Sequence, residues 1–264
     1  MKHSQIATLP AASPAIACLM VLRPVHPGSP PGVKSAERRR NLYFACKRMM
    51  DIVVAVMLLI GLAPLLLLVA VLIRLESPGP AIFRQERLTS RRVLDRQGEV
   101  WTVVPFVCYK FRSMYHGVSS DLHQAYIQAL MRDDQDQLAR LQGGQTAVCK
   151  LRRDPRVTRV GCFIRKTSID ELPQLWNVLR GEMSLVGPRP PLRYEVEAYQ
   201  MWHRQRLIAK PGMTGWWQIT GRGLTSFDEG VRRDIWYVEH QSLKLDVLIL
   251  LKTPFAVLSA RGAL

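Results

Sequence analysis

Two adjacent carboxylates, Asp170 and Glu171, follow a pair of cations in the run Arg165-Lys166-Thr167-Ser168-Ile169-Asp170-Glu171-Leu172-Pro173-Gln174. An aspartate can serve as a covalent nucleophile in phosphoryl transfer, and nearby cations screen the repulsion between its charge and that of a phosphate. Acid pairs at helix starts usually do no more than cap, satisfying backbone N–H groups that lack partners. The surroundings shift the balance toward chemistry. Asp154-Pro155-Arg156, Arg165 and Lys166 precede the pair, and Gly187-Pro188-Arg189-Pro190-Pro191, Lys210-Pro211-Gly212-Met213-Thr214-Gly215 and Gly221-Arg222-Gly223 follow it. Each sets a cation beside a backbone fixed by Pro or Gly. That suits a pre-organised diphosphate cradle, because guanidinium forks match phosphate oxygens. Any one of them is an ordinary surface turn; their density along one stretch carries the case. A hard divalent ion held by oxygen ligands would offset charge on a leaving nucleotide. No HExxH, P-loop or CxxC pattern occurs, so zinc-hydrolase and nucleotide-hydrolase chemistry lack support.

The element carrying the pair reads as a helix. Leu172, Leu175, Trp176 and Leu179 recur at helical spacing and predict a buried stripe, while Asp170, Gln174 and Asn177 predict the opposite, polar face. Pro173 is tolerated only in a first turn, so the helix is expected to begin near Asp170 and to end at Gly181. Its positive end favours ionised carboxylates.

Upstream, Ile52 to Ile73 contains no charged residue. As a straight helix it would reach about 33 Å, enough to cross the hydrocarbon layer. A buried helix in a soluble protein is the blander alternative, but a run this long and apolar on every face argues against it. Pro64 near its middle removes a hydrogen bond and kinks the helix. Cations flank both ends: Arg38, Arg39, Arg40, Lys47 and Arg48 before, then Arg74, Arg84, Arg87, Arg91 and Arg92 after. Positive residues prefer the cytoplasmic side. Symmetric flanks therefore predict a re-entrant helix, broken near Pro64, that enters and returns on one face.

The 264 residues support one sizeable core with appendages. Lys and Arg outnumber Asp and Glu by 37 to 21, for a net charge of +16, which implies a polyanionic partner. The five cysteines are scattered, which argues against a disulfide framework and a zinc site and suits a reducing compartment. Pro- and Ser-rich residues 1–40 read as a disordered tail, residues 41–76 as the re-entrant segment and 77–264 as a catalytic domain. Within it, a turn after Ser77 leads to a short strand at Ala81 to Arg84, and Trp101 to Phe111 predicts a strand that delivers Lys110 and Arg112. Ser120 to Gln142 reads as a polar helix within an insertion at 116–149. Glu195 to Ile208 and Leu243 to Leu258, the latter holding Pro254, predict two further helices.

Several of these motifs resemble the bacterial sugar transferases, monotopic polyprenyl-phosphate sugar-1-phosphate transferases. The likeness runs from about Lys47 to the C-terminus. It rests on Lys47-Arg48 with Asp51, Phe83-Arg84-Gln85 with Arg87, and Lys110-Phe111-Arg112-Ser113-Met114. It continues through Asp154-Pro155-Arg156-Val157-Thr158-Arg159-Val160-Gly161, the Asp170-Glu171 helix, Ser184-Leu185-Val186-Gly187-Pro188-Arg189-Pro190, Lys210-Pro211-Gly212, Thr214-Gly215, Gly221-Arg222 and Leu245-Asp246. The resemblance implies a helix-rich α+β, membrane-associated fold with a cytosolic catalytic domain bearing amphipathic interfacial helices at the bacterial inner membrane. It implies transfer of a sugar 1-phosphate from a UDP-sugar to undecaprenyl phosphate, with release of UMP, to start exopolysaccharide, capsule or O-antigen units. By the same analogy Asp170 is the nucleophile of a phosphosugar-enzyme intermediate, and Glu171 assists and, with Asp170, holds Mg2+. Lys110, Arg112, Arg156, Arg165, Arg189, Gln218, Arg222 and Asp246 would bind substrate. The implied partners are the UDP-sugar, undecaprenyl phosphate and membrane lipids but no nucleic acid, with a homodimer kept open. The chain departs from the family in having Ala63 before Pro64, in a Thr89 to Val100 segment that reads as an unusually long loop, and in reading as a short form.

Three alternatives remain at this point. Asp170 could act as a base in direct transfer with no covalent intermediate. A membrane-tethered nucleic-acid-binding protein would fit the charge, although the basic residues are dispersed among turns instead of gathered on one recognition helix. A non-catalytic assembly scaffold would tolerate loss of Asp170.

Overall fold

The structure, a computed structural model, describes residues 20–23, 34–95, 98–117, 156–221 and 225–258, with isolated positions at 125, 129, 134, 136, 137 and 140. The polar helix expected at Ser120 to Gln142 therefore lies largely outside the described residues.

Helix α1 (Lys34–Gly61) runs into α2 (Ala63–Glu76). The two are bent by 62° at a break beside Pro64, which occupies the first turn of α2. A proline there loses nothing, whereas inside a continuous helix it would leave a carbonyl unpartnered. No single helix among the described residues is long and apolar enough to cross a membrane, but the bent pair is so by length and composition. Val53, Met57 and Ile60 on α1 and Leu67, Leu68, Val71 and Leu75 on α2 are exposed. A surface of that kind marks contact with lipid or protein.

Strands β2 (Ile82–Asp95) and β3 (Gly98–Phe111) form one long antiparallel hairpin, paired from Ile82 with Phe111 to Asp95 with Gly98. The strand predicted at Ala81 to Arg84 is thus much longer, and the segment from Thr89 to Val100 is the outer half of this hairpin, not a loop. Its Val93, Val100, Thr102, Val103 and Val104 favour extended backbone. Strand β1 (Met20–Leu22) pairs with the other edge of β3 at Trp101 to Val103. Part of the stretch read as a tail is therefore a strand, and α1 already begins at Lys34.

The expected helix at the acid pair is split. Helix α3 (Arg159–Lys166) is followed by a 3₁₀ turn at Ile169–Glu171 and then by α4 (Gln174–Leu179). The left-handed residue Ser168 and Pro173 break the helical phase, so the predicted faces do not hold. Leu175 is buried, but Trp176 is 53% exposed, and the supposedly polar-faced Gln174 and Asn177 are buried. Asn177 braces the free edge of β3. Its Oδ1 accepts from Tyr109 N at 3.1 Å, and its Nδ2 donates to Val107 O at 2.6 Å and Glu182 Oε2 at 2.7 Å.

Strands β4 (Ser184–Val186) and β5 (Gly212–Thr214) form a second, parallel pair. Between them, the single amphipathic helix expected from Glu195 to Ile208 is α5 (Arg193–Glu197) plus a 3₁₀ helix at Trp202–Leu207. Helices α6 (Trp216–Thr220), α7 (Phe227–Glu239) and α8 (Leu243–Leu258) complete the fold, with Pro254 inside α8 as expected. The main core gathers Ala55 of α1, Phe106 and Cys108 of β3, Leu175 and Val178 of α4, Leu185 and Val186 of β4, Tyr237 of α7 and Ile249 of α8. The apolar helix is thereby built into the same core as the C-terminal elements.

A buried polar knot pins α8 to α1. Asp246 is fully buried and accepts from Lys47 Nζ at 2.9 Å, Tyr43 Oη at 3.0 Å and Tyr237 Oη at 2.7 Å. Removing the cation would leave a buried carboxylate without its counter-charge. Lys47→Met is expected to cost about 3–5 kcal/mol. A thermal unfolding scan in detergent checks this; a melting temperature unchanged from wild type would contradict it.

Candidate active site

The acid pair is delivered by an unusual piece of backbone. Helix α3 ends at Thr167, and Ser168 then adopts φ 56° and ψ 17°. It is the one non-glycine residue with positive φ among the described residues. A left-handed residue without glycine stores strain, and such residues gather where the surrounding structure needs a particular direction. Here it turns the chain into the 3₁₀ turn, closed by Glu171 N to Ser168 O at 3.2 Å and Leu172 N to Ile169 O at 3.1 Å. Ile169 packs into a cluster with Val69, Ile73, Phe111 and Ile164. Asp170 and Glu171 are left half-buried on the turn.

Strand β3 supplies the first cation. Lys110 Nζ lies 3.0 Å from Glu171 Oε1, with side chains 21% and 31% exposed. At that exposure the pair contributes about 1 kcal/mol or less, so it orients the groups more than it stabilises the fold. Strand β2 supplies a brace. The Arg87 guanidinium is buried, donating to Pro190 O at 2.5 Å and to Gln85 Oε1 at 3.1 and 2.9 Å, while Leu88 N donates to Pro191 O at 3.0 Å. These bonds strap the Gly187–Pro191 loop to the sheet. The loop presents Arg189, whose Nη2 is 4.0 Å from Glu195 Oε1.

Lys110, Arg87, Arg189 and Glu171 share one electrostatic neighbourhood. Burial, and next the Arg189 charge, push the Arg87 pKa down, against Glu195 and Glu171. Its ordinary value is so high that it stays charged. Burial likewise pushes the Cys108 thiol up, against Arg87 and Lys110. The Tyr194 phenol is pushed up to about 12 by burial and then by Glu195.

The structure thus brings Lys110, Asp170, Glu171 and Arg189 into one region. Arg165 sits half-buried in the last turn of α3, directly before the acid turn, and Arg156 lies half-buried ahead of the same helix. Arg112 is engaged elsewhere: it is buried, and its terminal nitrogens donate to Ser77 O at 2.7 Å, Ile73 O at 3.3 Å and Pro78 O. It binds the end of α2. Asp246 belongs to the buried knot described above. Gln218 on α6 holds its Oε1 buried with no hydrogen bond among the described residues. Arg222 lies outside the described residues.

Arg87 was visible in the sequence as part of a motif but not as the strap it is. The signal was its spacing from Gln85, which puts both side chains on one face of a strand. No cluster of three or more acid, His or Cys side chains able to hold a metal occurs among the described residues. Two adjacent carboxylates, one of them already on Lys110, suit magnesium. That ion keeps waters and takes substrate phosphates beside one or two protein carboxylates, so the donor set fits it without a closed protein cage.

The family described as bacterial sugar transferase matches residues 42–260. The chain is 43% identical over 217 residues to the undecaprenyl-phosphate galactose phosphotransferase of Salmonella typhimurium, covering 82% of this chain and 41% of that protein. It is 37% identical over 217 residues to the exopolysaccharide production protein ExoY of Sinorhizobium fredii, covering 82% of this chain and 87% of that protein. It is 35% identical over 235 residues to the UDP-glucose:undecaprenyl-phosphate glucose-1-phosphate transferase of Xanthomonas campestris pv. campestris, covering 85% and 41%. The chain therefore spans about two fifths of the Salmonella and Xanthomonas proteins.

The backbone at Ser168 makes a graded prediction. Glycine takes positive φ freely and a β-branched residue does not. Ser168→Gly is expected to keep wild-type thermal stability, and Ser168→Val to lose about 1–3 kcal/mol. Equal melting temperatures for the two variants would contradict the assignment.

Proposed function

The chain belongs to the bacterial sugar transferase family, and on that premise we propose that it moves a sugar 1-phosphate from a UDP-sugar to undecaprenyl phosphate and releases UMP. The observation that carries this reading is the half-buried Asp170–Glu171 turn, faced by Lys110 and neighboured by Arg189, on a chain matched by that family across residues 42–260. Relatives named for transfer from UDP-glucose and for undecaprenyl-phosphate galactose phosphotransfer support the donor and acceptor classes.

In the first step a carboxylate oxygen of Asp170 attacks the phosphorus that bears the sugar. A bond from Asp170 oxygen to that phosphorus forms, and the bond from the phosphorus to the bridging oxygen breaks. The bridging oxygen leaves with UMP. In the second step a phosphate oxygen of undecaprenyl phosphate attacks the same phosphorus, a diphosphate linkage forms, and the Asp170 carboxylate is freed. Lys110 and Arg189 lower the cost of bringing anions together, because positive groups fixed in advance need no reorganisation. Asp170 and Glu171 would hold a magnesium ion, which supplies counter-charge for the leaving nucleotide. The strapped Gly187–Pro191 loop keeps Arg189 in place without drawing on binding energy.

The apolar arm of α1 and α2 supports chemistry at a membrane surface. Its bend and exposed apolar side chains support a re-entrant segment at 41–76 and a catalytic domain at 77–264 on the cytoplasmic side of the bacterial inner membrane. Exopolysaccharide production in the Sinorhizobium relative's name supports a role in starting such polymers.

A panel of UDP-sugars with undecaprenyl phosphate in nanodiscs tests the reading. UMP is expected with at least one sugar, and Asp170→Asn is expected to lower its rate by about a thousandfold or more. Exchange of UMP into the UDP-sugar without lipid separates the two-step route from direct displacement. UMP release that survives Asp170→Asn would refute the assignment.

A further inference from the structure

Glu76, the last residue of α2, reaches across to the start of α3. Its Oε1 accepts from Arg159 N at 2.7 Å and its Oε2 from Val160 N at 3.0 Å. The next two N–H groups of α3 are held by its own cap: Gly161 N donates to Thr158 Oγ1 at 2.9 Å and Cys162 N to Thr158 O at 2.8 Å. The four groups left open at the N-terminus are those of Thr158, which donates to Ser113 O, and of Arg159, Val160 and Gly161, and all four are satisfied, two of them by a carboxylate from the end of the apolar arm. A negative charge also suits the positive end of the helix.

Glu76 is itself held at a fixed place. Arg112 gathers the carbonyls of Ile73, Ser77 and Pro78 around it. Val69 and Ile73 of α2 pack in one cluster with Ile164 of α3 and Ile169 of the acid turn. Helix α3 also lies hard against the end of β3, where Thr158 N donates to Ser113 O at 3.1 Å. A Cβ on Gly161 would come within 2.0 Å of that same Ser113 oxygen, so the contact requires glycine. From there α3 spans only Arg159–Lys166 before Ser168 turns the chain toward Asp170. Helix α3 is thus a short element seated at one end by a carboxylate and along its side by a packed cluster, and it joins Glu76 to the acid turn.

We infer that Glu76 is a positioning residue, fixing the start of α3 against the end of the membrane arm and, through α3, the place of the Asp170 carboxylate. Its kinetic consequence rests on the phosphosugar-transfer reading; its structural consequence does not. A residue that merely capped α3 would cost stability and leave turnover by the folded enzyme alone. Transition-state geometry is less forgiving, since a small misplacement of a nucleophile lowers turnover more than binding.

The test uses the full chain in nanodiscs and compares Glu76→Ala, Glu76→Gln and Thr158→Ala by UMP release and amide hydrogen exchange. Thr158→Ala loosens the same helix end from its own side. Glu76→Ala is expected to lower kcat by about 10- to 100-fold with KM for the UDP-sugar within about threefold. It should also speed exchange at residues 168–172 as well as 159–162. Glu76→Gln, which keeps one acceptor oxygen, should fall between, and it carries the comparison if Glu76→Ala does not fold. Thr158→Ala should speed exchange at 159–162 alone and leave kcat within about threefold. Faster exchange confined to 159–162 in Glu76→Ala, an unchanged kcat, or the same kcat loss in Thr158→Ala would overturn the inference. If the wild-type chain releases no UMP from any UDP-sugar, the proposed function fails, and the exchange data alone decide the coupling.

Discussion

The last carbonyls of a helix have no partner within it and must find a donor elsewhere, and for α2 one guanidinium supplies it. Arg112 meets the oxygens of Ile73, Ser77 and Pro78 at the end of α2. The space for it exists because residue 79 is a glycine at φ 114°, where a Cβ would lie 2.7 Å from Arg112 Nη1. Arg112 directly follows β3, the strand that carries Lys110. One short piece of chain therefore closes the apolar arm and presents a cation to Glu171. The site is built where the arm ends, not beside it.

The charges in this region divide into those that hold the protein together and those that face the acid turn. Arg87, Arg112, Lys47 and Asp246 are buried, and each has two or more hydrogen-bond partners inside the chain. Burying such groups is tolerable only because each is paired or hydrogen-bonded. Lys110 and Arg189 are more exposed, and each faces a single carboxylate oxygen, at 3.0 and 4.0 Å. On the proposed function, cations that meet an incoming anion cannot already be fully satisfied. The net charge of +16 is thus shared between two jobs, which composition alone does not separate.

The break at Pro64, the strand carrying Lys110, the last helix and the acid pair were all legible in the sequence. Each announces itself within a few residues, by a missing donor, a β-branched run, an apolar period or adjacent carboxylates. What was not legible depends on partners far along the chain. Asp246 was expected to bind substrate from the family resemblance alone, and its cation, Lys47, is 199 positions away. Arg112 was likewise expected from the resemblance to bind substrate, but its carbonyl partners lie at the end of α2 and just beyond it. The 89–100 segment read as a loop by comparison with the family, whereas it continues a hairpin whose register is set by pairing of β2 with β3. Asn177 read as solvent-facing because periodicity does not know that an unpaired strand edge lies opposite.

The most direct measurement of the central claim is intact and peptide mass spectrometry of wild-type enzyme quenched during turnover with a UDP-sugar alone. A mass gain equal to one sugar phosphate, mapped to the peptide containing Asp170 and discharged by adding undecaprenyl phosphate, is the expected result. An unmodified Asp170 in a mixture that goes on forming the lipid-linked product would contradict the account.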